Sequence, residues 1–161
     1  MPPARDLILG EYRRTLDERF RLTLPAELVE PLLESSGGCV LAKERSGCLS
    51  LWNAAAWQAK LASGMELVKA KIQAGRLDAR LDQVQLLGRL LSTRHVEVQL
   101  AGRSRLVLPE GFREFLGVEA GGDVMVVGAA VCIEIWRLDA WTAYLDQQMP
   151  EFRRLLDELS G

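Results

Sequence analysis

An internal repeat constrains the fold of this chain more than any other feature. Residues 21–25 read RLTLP, and residues 105–109, 84 positions later, read RLVLP. The same spacing, without a gap, relates identical residues along both halves: Trp52 and Trp136, Trp57 and Trp141, Cys48 and Cys132, Val40 and Val124, Leu16 and Leu100, and Arg19 and Arg103. Although 161 residues amount to one domain by length, the chain is predicted to contain two copies of a smaller unit.

Each copy is predicted to fold in the order β-β-α-β-β-α. Alternating apolar residues indicate a hairpin of two strands, and Pro25 or Pro109 then stands at the first turn of a short helix. A glycine pair ends this helix before two further strands, and Asn53 or Asp139 is placed to cap a helix that carries a tryptophan. The predicted strands are 10–16, 22–24, 39–42 and 49–52 in the first copy, and 94–100, 106–108, 124–127 and 133–136 in the second.

The predicted units are residues 7–62 and 91–146, with a helical linker over 63–90 and a C-terminal helix over 147–161. The linker has apolar residues at mostly i, i+3 and i+4 spacing across 65–91, which predicts a pair of helices. After Pro150, the residues Phe152, Leu155, Leu156 and Leu159 form a one-sided apolar stripe on a short helix. Such a stripe fits either core packing or binding of a partner.

The composition argues against several classes of protein. The longest apolar run, residues 124–133, is about half the roughly 20 residues of a membrane-spanning helix, and the N-terminus lacks the apolar region of a signal peptide. Three cysteines without a C-x-x-C pair predict buried apolar side chains, not disulfides or a zinc site. The only histidine, His95, lies in an alternating strand pattern, so we expect no catalytic and no metal-binding residues and no cofactor.

Charge is unevenly distributed, although the formal net charge is only −2. Residues 69–105 carry eight basic and three acidic residues, whereas residues 106–161 carry four basic and ten acidic ones. An acidic chain can therefore still present a local basic surface, with little non-specific affinity for nucleic acid.

A family likeness rests on residues 16–25, on the second RLVLP segment and on Ile133-Glu134-Ile135-Trp136. Together they resemble the MraZ family of bacterial transcriptional regulators, over about residues 7–146. The hallmark of that family is a D-x-x-x-R motif in each of two tandem repeats. Asp17 and Arg21 supply it in the first copy.

The resemblance implies an α+β fold with a mainly β core, in which two repeats form a swapped-hairpin barrel related to AbrB, with flanking helices. It also implies a homo-oligomeric ring that binds short direct repeats of double-stranded DNA. Those repeats would lie upstream of the protein's own operon, the division and cell-wall cluster, which the protein would repress. We therefore expect a cytoplasmic protein associated with the nucleoid.

Three residues depart from the family pattern. Ala101 stands where the second motif has aspartate, and Phe20 and Ser104 stand where the family has glycine before the arginine. A phenylalanine adopts a positive φ only at a cost of about 1 kcal/mol. The two turns are therefore expected to differ in form, with Gly102 supplying positive φ in the second.

The hairpins carry the residues expected to contact DNA. Because a two-stranded ribbon fits the major groove, its arginines can bind guanine O6 and N7 as well as phosphates. Asp17 is predicted to brace an arginine across the turn. The predicted DNA-binding set is Arg13, Arg14, Asp17, Arg19, Arg21, Arg103 and Arg105, and the alternative is that these charges form surface ion pairs.

Two functions of different classes follow. The first is a sequence-specific DNA-binding repressor. The alternative is a non-enzymatic protein-binding adaptor on the same barrel that has lost DNA reading, a possibility raised by Phe20, Ala101 and Ser104. An adaptor would expose the C-terminal stripe. Of the functions considered, an enzyme has the least support, and no small-molecule substrate or membrane association is expected.

Overall fold

The computed structural model describes residues 7–33, 38–73, 81–102 and 104–160. In these ranges the chain has an α+β fold. The first repeat forms β1 (Ile8–Thr15), β2 (Arg21–Thr23), α1 (Ala26–Leu33), β3 (Gly38–Arg45), β4 (Cys48–Asn53) and α2 (Ala54–Gln73). After α3 (Leu81–Thr93), the second repeat forms β5 (His95–Gln99), β6 (Arg105–Val107), α4 (Glu110–Leu116), β7 (Asp123–Ala130), β8 (Ile133–Arg137) and α5 (Leu138–Ser160).

The two repeats exchange strands with each other. β1 pairs with β7 and β5 pairs with β3, so the first strand of each repeat adds to the sheet of the other. The sheet order is β1-β7-β8-β4-β3-β5, and β2 and β6 form a separate antiparallel ribbon. The expectation that β1 and β2 form a regular hairpin ladder is therefore wrong. Their shared turn is tight, but beyond it each strand pairs with a partner from the other repeat.

One apolar core joins the ribbon, the sheet and the short helices. Leu22 and Leu24 of the first repeat and Leu106 and Leu108 of the second are buried in it beside the inner residues of β4 and β8. The three cysteines are free and buried, as predicted. Burial raises the pKa of the Cys39 thiol to about 11, so it stays protonated and packs as a small apolar group.

The repeat spacing changes by one residue within the sheet. Cys39 pairs with Asn53 in the first repeat, and Val124 pairs with Arg137 in the second, so Cys39 and not Val40 corresponds to Val124. The core confirms this register, because Cys39 and Leu41 point inward where Val124 and Val126 do. A bulge between Lys43 and Arg45 restores the 84-residue spacing in β4. The expectation of an ungapped repeat is wrong in this strand.

The centre of the sheet lies where β4 crosses β8. There Ser50 pairs with Glu134, its own equivalent in the other repeat, so the local two-fold axis passes between them. Trp52 Nε1 donates to Ser50 Oγ at 2.9 Å, and Trp136 Nε1 donates to Glu134 Oε1 at 3.0 Å. Burial raises the pKa of Glu134. Trp136 is buried, whereas Trp52 is partly exposed.

The helices are longer than predicted. α2 runs from the Asn53 cap, whose Oδ1 accepts from the N–H groups of Ala55 and Ala56, through the first half of the linker. α5 is one helix that contains Pro150, so the separate short helix after this proline is wrong. Asp139 lies in the first turn of α5 and not at its cap, because the helix begins at Leu138. Among the described residues, no helix is both long and apolar enough to cross a membrane.

Truncating Leu22 tests whether the ribbon depends on the shared core. Leu22→Ala is expected to lower the free energy of unfolding by about 2–5 kcal/mol, because this side chain is fully buried opposite Leu106. Leu9→Ala, at an exposed position on β1, is the control and should change it by less than about 0.5 kcal/mol. Denaturant unfolding at fixed protein concentration measures both, and equal losses would contradict the packing described here.

Candidate nucleic-acid interface

The β2–β6 ribbon brings the two predicted motif arginines onto one surface. Leu22 pairs with Leu106 and both point into the core, so the neighbouring residues of each strand point outward. Arg21 pairs with Val107, and Thr23 pairs with Arg105. The two arginines are thus diagonal neighbours on the outer face, with Cα atoms roughly 7–8 Å apart. Both repeats therefore contribute an arginine to the outer face of the ribbon.

The Asp17 carboxylate organises the turn before β2. Its Oδ1 accepts from the backbone N–H groups of Arg19 and Arg21 at 2.8 and 2.9 Å. Its Oδ2 accepts from Nε of Arg21 at 2.6 Å. The backbone hydrogen bond from Arg21, followed by the bond and charge of its side chain, lowers the pKa of Asp17. Asp17 therefore fixes both the backbone of the turn and the position of Nε in the Arg21 guanidinium.

Phe20 adopts the positive φ that its position in the motif suggests. Its φ is 56°, in the left-handed region that disfavours side chains. Two contacts from the second repeat hold it there. The Arg113 guanidinium lies over the ring, 4.2 Å from its centroid, and the Phe20 carbonyl accepts from the N–H of Leu108 at 3.0 Å. The second repeat thus helps to shape the turn of the first.

The second turn has the different form expected from its sequence. Ala101 and Arg105 exchange two backbone hydrogen bonds of 2.9 and 3.0 Å, and Gly102 takes a φ of 55°. Ala101 has no carboxylate, so its side chain cannot brace the exposed Arg105 as Asp17 braces Arg21. Arg103 lies outside the described residues. The two motif arginines are therefore held differently.

The remaining predicted arginines do not join the ribbon face as one group. Arg13 is paired with Asp123, with Nε and Nη2 each 2.9 Å from Oδ2, while Thr15 donates to Oδ1 of the same carboxylate at 2.6 Å. These bonds, that of Thr15 first, lower the pKa of Asp123. Arg14 lies on the other face of β1, over the Tyr12 ring. Arg19 is exposed on the first turn.

Three residues of this surface were missed by the sequence reasoning. Thr23 and Val107 complete the outer face of the ribbon, and the alternation around Leu22 and Leu106 could have revealed them. Arg113 could not have been found in this way. It acts on Phe20 through a contact between repeats, and no local pattern marks that contact.

The chain is similar to known proteins over nearly its whole length. The family model described as "MraZ protein, putative antitoxin-like" matches residues 7–78 and 92–158. The chain belongs to the MraZ family. Each of the two matched segments contains one of the repeats.

Relatives within the MraZ family cover nearly the whole chain. A transcriptional regulator MraZ of Methylobacillus flagellatus is 36% identical over 154 residues, which is 94% of this chain and 96% of the relative. Proteins of the same name from Syntrophomonas wolfei and Heliobacterium modesticaldum are 28% and 29% identical, and each comparison covers 95% of this chain and 96% of the relative. The coarse function supported by these names is regulation of transcription.

The left-handed turn predicts an order of stability among variants at position 20. Phe20→Gly is expected to be more stable than Phe20→Ala by about 1 kcal/mol, because both lose the ring while only alanine keeps a Cβ at positive φ. Denaturant unfolding measures the difference. The matched control is Ser104, the equivalent residue in the second turn, which has no positive φ. Ser104→Gly should therefore be no more stable than Ser104→Ala. Greater stability of Phe20→Ala would contradict the turn geometry.

The Asp17 bonds predict a titration that can be followed by carboxyl NMR. The pKa should lie below 3.8, and in Arg21→Ala it should rise only in part, because the backbone N–H groups remain. Since folding lowers this pKa, the contribution of Asp17 to stability is present at neutral pH and is lost as pH falls below about 4. The stability difference between the wild type and Asp17→Asn should shrink over that range, and a pKa at or above 3.8 would contradict the brace.

Proposed function

We propose that this protein is a sequence-specific regulator that binds double-stranded DNA through the outer face of the β2–β6 ribbon. The observation that carries the proposal is the placing of Arg21 and Arg105 together on that face, above a shared leucine core. A two-stranded ribbon can enter the major groove of B-DNA, where base edges present a distinct pattern for each base pair. No catalytic role is proposed for any of these residues.

Arg21 is the residue we assign to base reading. Asp17 engages its Nε, which leaves the two terminal amino groups as donors for guanine O6 and N7. A guanidinium whose Nε is already bound by a carboxylate loses less conformational entropy when it binds DNA. This favours a contact that demands precise geometry. Such a bidentate contact contributes about 1–3 kcal/mol of discrimination against the wrong base.

Arg105 is assigned to the phosphate backbone. It lies beside Thr23 on the same face, but its own turn has Ala101 in place of the bracing aspartate. A cation without such a brace still neutralises a phosphate, and a phosphate contact sets affinity and register more than sequence preference. We therefore propose unequal roles for the two repeats. Arg13, Arg14, Arg19 and Arg103 remain candidates for flanking phosphate contacts.

The finer points of the function follow from the family resemblance. We propose that several copies form a ring whose ribbons bind short direct repeats upstream of the protein's own operon, the division and cell-wall cluster, and repress it. One ribbon of three residues per strand offers few contacts. Several ribbons on one oligomer would add their affinities through effective concentration. Such a regulator would act in the cytoplasm, at the nucleoid.

A protein-binding adaptor is the second candidate, and one observation favours it. The C-terminal stripe that this hypothesis requires to be exposed is exposed, with Phe152, Leu155 and Leu159 all open to solvent. An adaptor predicts a stoichiometric complex with another protein and no shift of the upstream DNA in a gel. Specific, salt-dependent DNA binding would exclude it as the main function.

Substitution of the two ribbon arginines tests the proposal. Arg21→Ala should reduce affinity for the upstream DNA to the non-specific level, whereas Arg105→Ala should weaken specific and non-specific binding alike and lower the salt slope by about one per contact. Fluorescence anisotropy at several salt concentrations measures both. Lys69→Ala removes an exposed charge on α2 and serves as the control.

The mass of each variant, from light scattering, should equal that of the wild type. An Arg21→Ala isotherm that matches the wild type would contradict the base-reading role. If Arg105→Ala reduced discrimination between operator and unrelated DNA as strongly as Arg21→Ala, the proposed division of roles would be wrong.

A further inference from the structure

An apolar cavity of about 240 Å³ lies between α2 and α3, away from the ribbon assigned to DNA. Leu61 and Met65 of α2 and Leu87 and Leu91 of α3 form its apolar walls, and all four side chains are partly buried. A cavity of about 150 Å³ in another protein is large enough to bind benzene. The cavity between α2 and α3 therefore has room for one small organic molecule.

A polar group in the wall of this cavity lacks a partner. Trp57 lines the cavity, and its Nε1 N–H group is buried without a hydrogen-bond acceptor among the described residues. Nearly all buried polar groups in proteins are paired, so a buried N–H group without an acceptor requires a physical explanation. A bound molecule that carries an acceptor oxygen would supply the missing partner.

The second repeat shows which kind of acceptor suits this indole. Trp141, the equivalent of Trp57, donates from Nε1 to Oε2 of Glu11 on β1 at 2.9 Å. His95 follows Glu11 by 84 residues and lies at the same place in the exchanged strand, because β5 adds to β3 as β1 adds to β7. The His95 ring lies beside the Trp57 ring, with 5.3 Å between their centroids. The first repeat thus keeps the indole donor but has no carboxylate at the equivalent position.

A cation lies at the edge of the cavity, next to the same indole. Lys60 lines the cavity and is exposed, and its Nζ lies 4.4 Å from the ring centroid of Trp52 and 5.6 Å from that of Trp57. The ion pairs formed among the described residues do not include Lys60. In the second repeat the equivalent residue is the uncharged Tyr144. An N–H donor beside a cation is an arrangement that binds a carboxylate.

We propose that the cavity between α2 and α3 binds a small apolar monocarboxylate. The ligand carboxylate accepts from Nε1 of Trp57 and pairs with Lys60, and the apolar part of the ligand lies between the two helices. It takes the place that the Glu11 side chain has beside the indole of the second repeat. The molecule is a ligand and not a substrate, since no bond is made or broken. The inference goes beyond the proposed function and does not depend on DNA binding.

Titration of the full chain with phenylacetate tests the site, and phenylacetamide is the uncharged molecule of the same shape. The indole N–H signal of Trp57 in ¹⁵N NMR, assigned with Trp57→Phe, should shift and saturate with a Kd on the order of 1 mM or lower. The signal of Trp141, which is already bound to Glu11, should not shift. Phenylacetamide should bind about tenfold more weakly, because it has no charge to pair with Lys60. No saturable shift at Trp57, or equal affinity for both molecules, would overturn the proposal.

Two substitutions test the charges that select the ligand. His95→Glu gives the first repeat the carboxylate of the second, which should occupy the Trp57 N–H group and repel an anion, so phenylacetate should bind more than about tenfold more weakly. His95→Gln adds no charge and should bind it more tightly than His95→Glu does. Lys60→Met should lose the preference for phenylacetate over phenylacetamide. Lys69→Met, nine residues further and on the opposite side of α2, should keep that preference. Wild-type affinity in His95→Glu, or an unchanged preference in Lys60→Met, would overturn the proposal.

Partial filling of the cavity tests where the ligand binds. Gly64 lines the cavity, and a Cβ added there would meet no other atom within 4 Å, so Gly64→Leu occupies part of the space without a clash. Gly88 of α3 has the same room for a Cβ but lies outside the cavity wall, which makes Gly88→Leu the matched control. Both variants replace a helical glycine by a better helix former, and circular dichroism checks that both fold. Phenylacetate should bind at least about tenfold more weakly to Gly64→Leu alone, and equal affinities for the two variants would overturn the assignment to this cavity.

Discussion

The exchange of strands between the two repeats is the constraint on which the rest of the structure depends. β1 completes the sheet next to β7, β5 does so next to β3, and β2 forms a ladder with β6. A three-residue strand cannot persist alone. The ribbon exists because Leu22 and Leu106 are fixed in a core built by both copies. The candidate DNA surface is therefore a product of the whole domain and not of either repeat.

The symmetry of the fold makes its asymmetries informative. At the centre of the sheet, Ser50 and Glu134 are equivalent residues, and each accepts a hydrogen bond from the tryptophan two residues further on. At the turns the copies differ, since Asp17 braces Arg21 while Ala101 offers nothing comparable to Arg105. At the helices they differ again, because α2 has α3 beside it and α5 has no such neighbour among the described residues. The core leucines and the two ribbon arginines are identical in the two copies, whereas the turns that precede those arginines differ.

Much of the fold was predicted correctly, and the errors have physical causes. The repeat, the α+β class, the order of elements, the buried cysteines and the family are confirmed. The ungapped spacing predicted the wrong equivalent for Val40. A bulge between Lys43 and Arg45 restores the 84-residue spacing, so the identical residues before and after β3 do not reveal the shift within it. The prediction of a separate helix after Pro150 was wrong. Proline lacks a backbone N–H donor, but a helix can still continue through it, as α5 does. The domain boundaries and the DNA-contacting residues remain predictions.

The sequence by itself determined which residues are equivalent, where the strands and short helices lie, and that the first motif pairs Asp17 with Arg21. These properties follow from periodicity and from neighbours within a few positions, which act locally. Only the tertiary structure decided that Arg21 and Arg105 share one face, that Arg113 stacks on Phe20, and that the second half of α5 faces solvent. Each of these depends on contacts between residues far apart in the chain, and such contacts are set by packing of the shared core.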